Sequence, residues 1–421
     1  MKRSLKDAVV RGLAEDGGLF MPERITPLPL QWFREPPTSL PAIAFDVAHQ
    51  LLGEDIPHAA LHKLVTDAIN FDVQVVPVDK NIWSVELYHG PTLAFKDFGA
   101  RFLAGLMEYY AADESREIVV LAATSGDTGS AVANGFYNRK GIRVIILYPS
   151  GKVSALQEKQ LTTLGGNITA WEVDGTFDDC QRLVKQLFMD KGLTDRFLLT
   201  SANSINIGRL LPQTFYYFYS WSKLPRGSKP VFSVPSGNFG NLTAGIIAKR
   251  LGLPVSTFVA STNINDVVPA YLEAGNYLPR PSVPTISNAM DVGDPSNFSR
   301  LLELYDGDRS KMANDITGFS FTDQQTRGAI VEMLAGRNYL MDPHGAVAYL
   351  GLKKFLEGIS EKPAGLFLET AHPGKFLEVV EKSTGTAVKL PSSLEDLKSK
   401  TKQSVRVSAR FEEAKERLLA F

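Results

Sequence analysis

Lys96 is the first residue whose neighbours invite chemistry. It lies in His89-Gly-Pro-Thr-Leu-Ala-Phe-Lys-Asp-Phe-Gly-Ala-Arg-Phe102, with Leu93-Ala94-Phe95 on one side and Phe98 on the other. Desolvation by such apolar flanks disfavours an ammonium, leaving a neutral amine able to form a Schiff base. Taken alone, the motif also suits an ordinary solvated lysine. Thr124-Ser-Gly-Asp-Thr-Gly129 and Pro235-Ser-Gly-Asn-Phe-Gly-Asn241 each sit between an apolar run and a helical pattern. Free N–H groups at a helix start make a cradle for a carboxylate or phosphate, and glycine lets the backbone come close. The competing readings are a helix cap at Asp127 or Thr128 and a plain tight turn. Neither loop has the GxGxxG or GxxxxGK[ST] spacing of a nucleotide site.

Two more motifs complete the set. In Ser201-Ala-Asn-Ser-Ile-Asn-Ile-Gly-Arg209, short amides and hydroxyls precede an arginine. That group could clamp a second phosphate through a guanidinium fork, or merely cap the helix that follows. Phe367-Leu-Glu-Thr-Ala-His-Pro-Gly-Lys-Phe376 reads as a strand ending in Thr370 and His372, or as a simple strand-terminal turn. No histidine has trustworthy metal-ligand spacing to another His, Asp or Glu, and no Gly-x-Ser-x-Gly elbow occurs, so no metal is expected.

Strands and helices in alternation must position these loops. Ile118–Ala123, Arg143–Leu147, Ile168–Val173, Pro230–Val234 and Val255–Ala260 read as strands. Helical patterns cover Lys96 to about Tyr110, Thr128–Arg139, Lys152–Leu164, Phe177–Met189 and Asn241–Leu251. This order implies βαβ units and a mostly parallel sheet, with ligands outside the carboxyl ends of the strands. The first eighty residues differ. Prolines from Pro22 to Pro41 suggest an extended wrapping segment, and Ala42–Leu52 and Pro57–Ile69 have helical spacing. Leu397–Phe421 reads as a charged amphipathic helix with a solvated face.

With 421 residues, at roughly 150 per domain, two or three domains or subdomains are expected. Lys+Arg 45 against Asp+Glu 46 gives a net charge of −1, so no global field recruits nucleic acid or an anionic membrane. The single cysteine, Cys180, allows no internal disulfide and fits a reducing compartment. No apolar run is long enough to span a bilayer and no secretory signal is read at the start, so a cytoplasmic protein is expected.

In combination and in order, the motifs resemble the pyridoxal-phosphate enzymes of the tryptophan-synthase-like fold (fold type II), and within them the threonine synthase family of the longer bacterial and fungal class. The resemblance starts at Leu13-Ala-Glu-Asp-Gly-Gly-Leu-Phe-Met-Pro22, runs through the loops above, and includes Ala289-Met-Asp-Val-Gly-Asp-Pro-Ser-Asn-Phe298. It implies an α/β fold with mostly parallel twisted sheets flanked by helices. A small, mostly helical N-terminal domain (1–80) would precede a catalytic region of two α/β subdomains (81–421). It also implies pyridoxal 5'-phosphate joined to Lys96, which later acts as the mobile base. Gly237, Asn238, Phe239, Gly240 and Asn241 would hold the cofactor phosphate, Thr370 would face the pyridine nitrogen, and Asp127 would lie near the phenolic oxygen. Thr124, Ser125, Gly126 and Thr128 would grip the substrate carboxylate. Asn203, Ser204 and Arg209, with Lys152, would bind the substrate's phosphate.

The implied reaction turns O-phospho-L-homoserine and water into L-threonine and phosphate by γ-elimination and β-addition. Partners would be this small molecule alone, with no nucleic acid or membrane, in a monomer or homodimer. Three rivals remain at this point: a phospho-lyase yielding an α-keto acid, a serine or threonine dehydratase, and a non-catalytic binding protein on a decayed enzyme.

Overall fold

The computed structural model describes residues 2–124 and 126–420. Its strands, in chain order, are β1 (Gln74–Asp79), β2 (Ile82–Glu86), β3 (Ile118–Ala123), β4 (Ile142–Pro149), β5 (Ile168–Asp174), β6 (Leu198–Ser201), β7 (Val231–Pro235), β8 (Thr257–Thr262), β9 (Ile316–Ser320), β10 (Gly365–Glu369) and β11 (Val405–Ser408). They form two sheets, ordered β1-β2-β10-β7-β8-β9 and β11-β5-β4-β3-β6. Every pairing is parallel except β1 with β2. Parallel strands covered by helices on both faces read as unbroken apolar runs. All six residues of β3 are buried accordingly.

Helix Phe177–Met189 shows why local sequence suffices in places. Thr176 and Asp179 form a reciprocal capping box at its start, and Cys180, Leu183, Val184 and Leu187 make its buried face. The N-terminal helices Leu5–Arg11, Leu30–Arg34, Leu40–Leu52 and His58–Ala68 precede the first strand. The intervening segment is extended where the prolines require it, with Leu28 N–H donating to Leu251 O at 2.8 Å. Residues 397–420 differ from the single helix expected. They hold strand β11, paired with β5, and a shorter helix, Phe411–Leu419. A four-residue edge strand burying only Val407 carries too little period to be seen in sequence. The helix after it is not wholly solvated, because Ala414 and Leu418 pack beside Leu183 and Leu187.

Helix Thr214–Ser222 (TFYYFYSWS) is made of residues that favour strands by propensity, yet it is buried nearly all round. Tertiary packing decides its conformation. Among the described residues, no helix is long and apolar enough to cross a membrane.

Candidate active site

The described candidate residues lie at or beyond the carboxyl ends of strands from both sheets, and hydrogen bonds or ion pairs join several of them. Lys96 opens helix Lys96–Ala111. Its start is tied to the end of β10, because Phe95 N–H donates to Thr370 O at 2.9 Å. Only 14% of the Lys96 side chain is exposed, and its Nζ lies 3.7 Å from Asp127 Oδ2. Burial lowers the Lys96 pKa, Asp127 opposes that shift, and the charges of Lys375 and Arg209 reinforce it.

Asp127 is the first residue of helix Asp127–Phe136, directly after β3. Its Oδ1 accepts from Gln157 Nε2 at 3.0 Å and is paired with Lys375 Nζ at 2.7 Å. Burial alone would raise its pKa, but Lys375 and Lys96 outweigh burial and hold the carboxyl well below the usual range. Thr124 shapes the same loop. Its Oγ1 accepts from the N–H groups of Gly126 at 3.0 Å and Gly129 at 2.9 Å. Gly126 has φ 152°, and a Cβ there would come within 2.7 Å of Gln157 Nε2. Thr128 is half-buried one residue into the helix, and Ser125 lies outside the described residues.

The turn after β7 leads into helix Gly240–Arg250, with Phe239 left-handed at φ 61°. A Cβ on Gly237 would strike Met290 Cα at 2.7 Å and Ala289 O at 2.8 Å, so the turn is fitted closely to that segment. Asn241 Oδ1 accepts from the hydroxyls of Tyr216 at 2.7 Å and Tyr217 at 2.6 Å. Its Nδ2 is buried and unpartnered, as is Asn297 Nδ2. That second amide would lie 3.4 Å from a Cβ on Gly240. Two orphaned amide donors beside the free N–H groups of a helix start suit a phosphate, because each buried donor left unmade is costly. The residues present therefore fit the phosphate of pyridoxal phosphate, and Lys96 fits its aldehyde.

The loop after β6 meets this turn, for Asn238 Nδ2 donates to Ser204 Oγ at 2.5 Å. Asn203 Oδ1 and Arg209 Nε are buried without partners. Arg209 is 4% exposed, donates to Ala202 O at 2.7 Å and, among the described residues, makes no ion pair. Burial brings its pKa down to about 10. Lys152 is exposed on the turn after β4. The interior thus gathers Lys96, Lys375 and Arg209 around Asp127 and Asp97. Burial raises the Asp97 carboxyl despite two hydrogen bonds from Thr92. The balance is positive and favours anionic ligands.

Three comparisons give the family. The model for the threonine synthase N terminus matches residues 1–69, that for pyridoxal-phosphate dependent enzymes 74–368, and that for the threonine synthase C-terminal region 346–417. Threonine synthase of Haemophilus influenzae is 46% identical over 395 residues, which is 93% of this chain and 91% of that protein. The chain belongs to the threonine synthase family. The crystal structure of the Escherichia coli member superposes with a TM-score of 0.89 at 41% identity, covering 99% of this chain and 97% of that one. The pyridoxal-phosphate-bound member from Brucella melitensis gives 0.93 at 33% identity, covering 99% and 96%. Like the rest of the family, the chain is a pyridoxal-phosphate-dependent lyase of fold type II.

Within this family member, sequence reasoning assigned no role to Lys375, Gln157, Asn297 or Arg300. Arg300 is 1% exposed, and its pKa is brought down by burial to about 10. It donates to Phe20 O, Ser204 O, Ile205 O and Asn297 Oδ1 at 2.6–3.3 Å. Those bonds use its guanidinium on the protein itself, so it braces the loop after β6, Asn297 and the N-terminal segment instead of binding a ligand. Asn297 belongs to the stretch Ala289–Phe298, and Lys375 to Phe367–Phe376. Nothing in either motif distinguishes them from surface residues.

Proposed function

We propose that the chain acts as a threonine synthase, converting O-phospho-L-homoserine and water to L-threonine and phosphate. The observation that carries this reading is the contact between two anion-ready loops, Asn238 to Ser204 at 2.5 Å, beside a buried lysine. A serine or threonine dehydratase needs one phosphate cradle, for its cofactor. Two adjoining cradles suit a substrate that brings a phosphate of its own.

When bound, the cofactor supplies an electron sink that makes the substrate's Cα and Cβ hydrogens acidic. Gly237, Asn238, Phe239, Gly240 and Asn241 would hold its phosphate on backbone N–H groups and the free Asn241 amide. Thr370 would present a neutral hydroxyl to the pyridine nitrogen, and Asp127 would serve the phenolic oxygen. Lys96 would be the attachment point, and its free amine would take the Cα proton. Thr124, Ser125, Gly126 and Thr128 grip the substrate carboxylate. Arg209, Asn203, Ser204 and Lys152 bind the substrate phosphate, with the two cations offsetting charge that builds as the Cγ–O bond breaks. One Cβ proton leaves before the phosphate does, a proton then adds at Cγ to make the methyl group, and water adds at Cβ with a proton returned to Cα. Residues 1–80 form the N-terminal domain and 81–421 the catalytic region, in a cytoplasmic monomer or homodimer.

The test is product analysis. Purified protein incubated with O-phosphohomoserine should yield L-threonine and phosphate in equal amounts. An α-keto acid in place of threonine would make it a phospho-lyase, and turnover of serine with phosphohomoserine ignored would make it a dehydratase.

A further inference from the structure

Asp127 has two carboxylate oxygens and three neighbours competing for them. Oδ1 is taken by Lys375 Nζ at 2.7 Å and Gln157 Nε2 at 3.0 Å, while Lys96 Nζ stands off at 3.7 Å from Oδ2. The closer ion pair is therefore with Lys375, not with the lysine assigned to the chemistry. Lys375 is itself held in place. It is 4% exposed, on the turn Pro373–Phe376 after β10, and its Nζ also donates to Thr92 O at 2.8 Å. Thr92 in turn clamps Asp97 through its N–H at 2.8 Å and its Oγ1 at 2.6 Å, so Lys375 is anchored to the segment that leads into Lys96.

We propose that Lys375 is a positioning residue: by occupying Asp127 Oδ1 it denies Lys96 a close counter-ion and keeps that amine available as a nucleophile. The inference rests on the assignment of Lys96 as the attachment lysine. A buried ammonium persists only when paired. With one carboxylate shared among two lysines, Lys96 stands farther from it and burial there disfavours its ammonium. Lys375 acts twice, by neutralising Asp127 and by adding a like charge nearby. The charged groups facing Lys96 are Asp127, Lys375 and Arg209, the last adding to the same effect. Asp97 and His372 also feel the Lys375 charge. Asp97 is clamped by Thr92 and biased by burial toward its neutral form, so it does not replace Asp127 as counter-ion.

The experiment uses the full chain stripped of cofactor and follows covalent capture of pyridoxal phosphate across pH, by borohydride trapping and peptide mapping. In the unaltered protein the label should map to Lys96. Lys375→Met should leave the label on Lys96 but move the pH midpoint of the capture rate upward by about one unit, about tenfold slower at a fixed pH below both midpoints. Lys375→Arg, which keeps the charge, should restore the midpoint. Lys375→Met combined with Asp127→Asn should bring it back down, because the carboxylate that Lys96 would otherwise claim is gone. A purely structural role predicts a lower thermal midpoint with no displacement of the pH profile. A label elsewhere in the unaltered protein overturns the assignment of Lys96. A label on Lys96 with the same midpoint in Lys375→Met overturns the role of Lys375 alone.

Discussion

Asn238 and Ser204, from turns on different sheets, share a hydrogen bond of 2.5 Å from Nδ2 to Oγ. The other end of the Asn238 amide is also fixed, since Oδ1 accepts from Ser296 N–H at 2.6 Å and Oγ at 2.9 Å. The two loops are therefore linked side chain to side chain, and a change in either should be felt at both.

Ser204→Ala removes that link without adding bulk. A neutral hydrogen bond is worth about 0.5–1.5 kcal/mol, or roughly 2- to 12-fold in affinity. Both the dissociation constant for pyridoxal phosphate and the KM for phosphohomoserine should rise within that range. Titration of the stripped protein by absorbance, alongside steady-state kinetics, reads both. A change confined to one of them would mean that the loops act independently.

Gly237→Ala tests the fit of the turn. The new methyl would meet Met290 Cα and Ala289 O, which are backbone atoms that cannot rotate away. That segment is braced, because Ala289 N–H donates to His344 Nε2 at 3.2 Å and His344 Nδ1 is 2.6 Å from Asp342 Oδ1. The turn must give way instead, at about 1–3 kcal/mol. Cofactor affinity should fall by roughly tenfold or more with the fold retained by circular dichroism. Unaltered affinity would show that the turn has slack.

How much of this was readable in the sequence depends on the range of the interaction. Strand Ile118–Ala123 and helix Phe177–Met189 follow from period and capping within a single window, and their limits agree with those observed. The loops that follow strands were legible because strand-to-helix turns carry glycine and short polar residues for local reasons. Lys375 was not legible. It becomes an interior cation only when the end of β10 is brought against the start of the helix after β3, and no local pattern encodes that meeting. Arg300 is similar, because its acceptors come from Phe20, Ser204, Ile205 and Asn297, and three of those are backbone carbonyls that any sequence would supply. Strand β11 was missed for a different reason, being only four residues long and at the edge of its sheet.

Arg209→Leu separates the two anion sites by charge. Among the described residues, Arg209 Nε is buried without a partner and no ion pair is made by its guanidinium, so a ligand is the natural claimant. Loss of a charged hydrogen bond costs about 1.5–3 kcal/mol, which is roughly 10- to 150-fold in kcat/KM for phosphohomoserine. Cofactor absorbance should be unchanged. If kcat/KM holds at its original value, the substrate phosphate lies elsewhere.

The acid limb of stability should depend on Glu172. Its carboxylate is 2.7 Å from Lys402 Nζ and accepts from Ser150 Oγ at 2.7 Å and Ser404 Oγ at 3.1 Å. Burial pushes its pKa up, but Lys402 and the two serines overcome this and hold it down to about 2. Lys402 also bridges to Glu158, on the helix that carries Gln157 to Asp127, so the C-terminal strand is strapped to the wall of the site. A carboxyl whose folded pKa is depressed stabilises the fold above its unfolded value, about 4.3, and that contribution is lost as pH falls toward the folded value. Glu172→Gln should therefore lower the thermal midpoint at pH 7 and differ progressively less from the unaltered protein between about pH 4.3 and pH 2. Melting curves across that window decide it, since a deficit that stays constant with pH would point to lost packing and not to the ion pair.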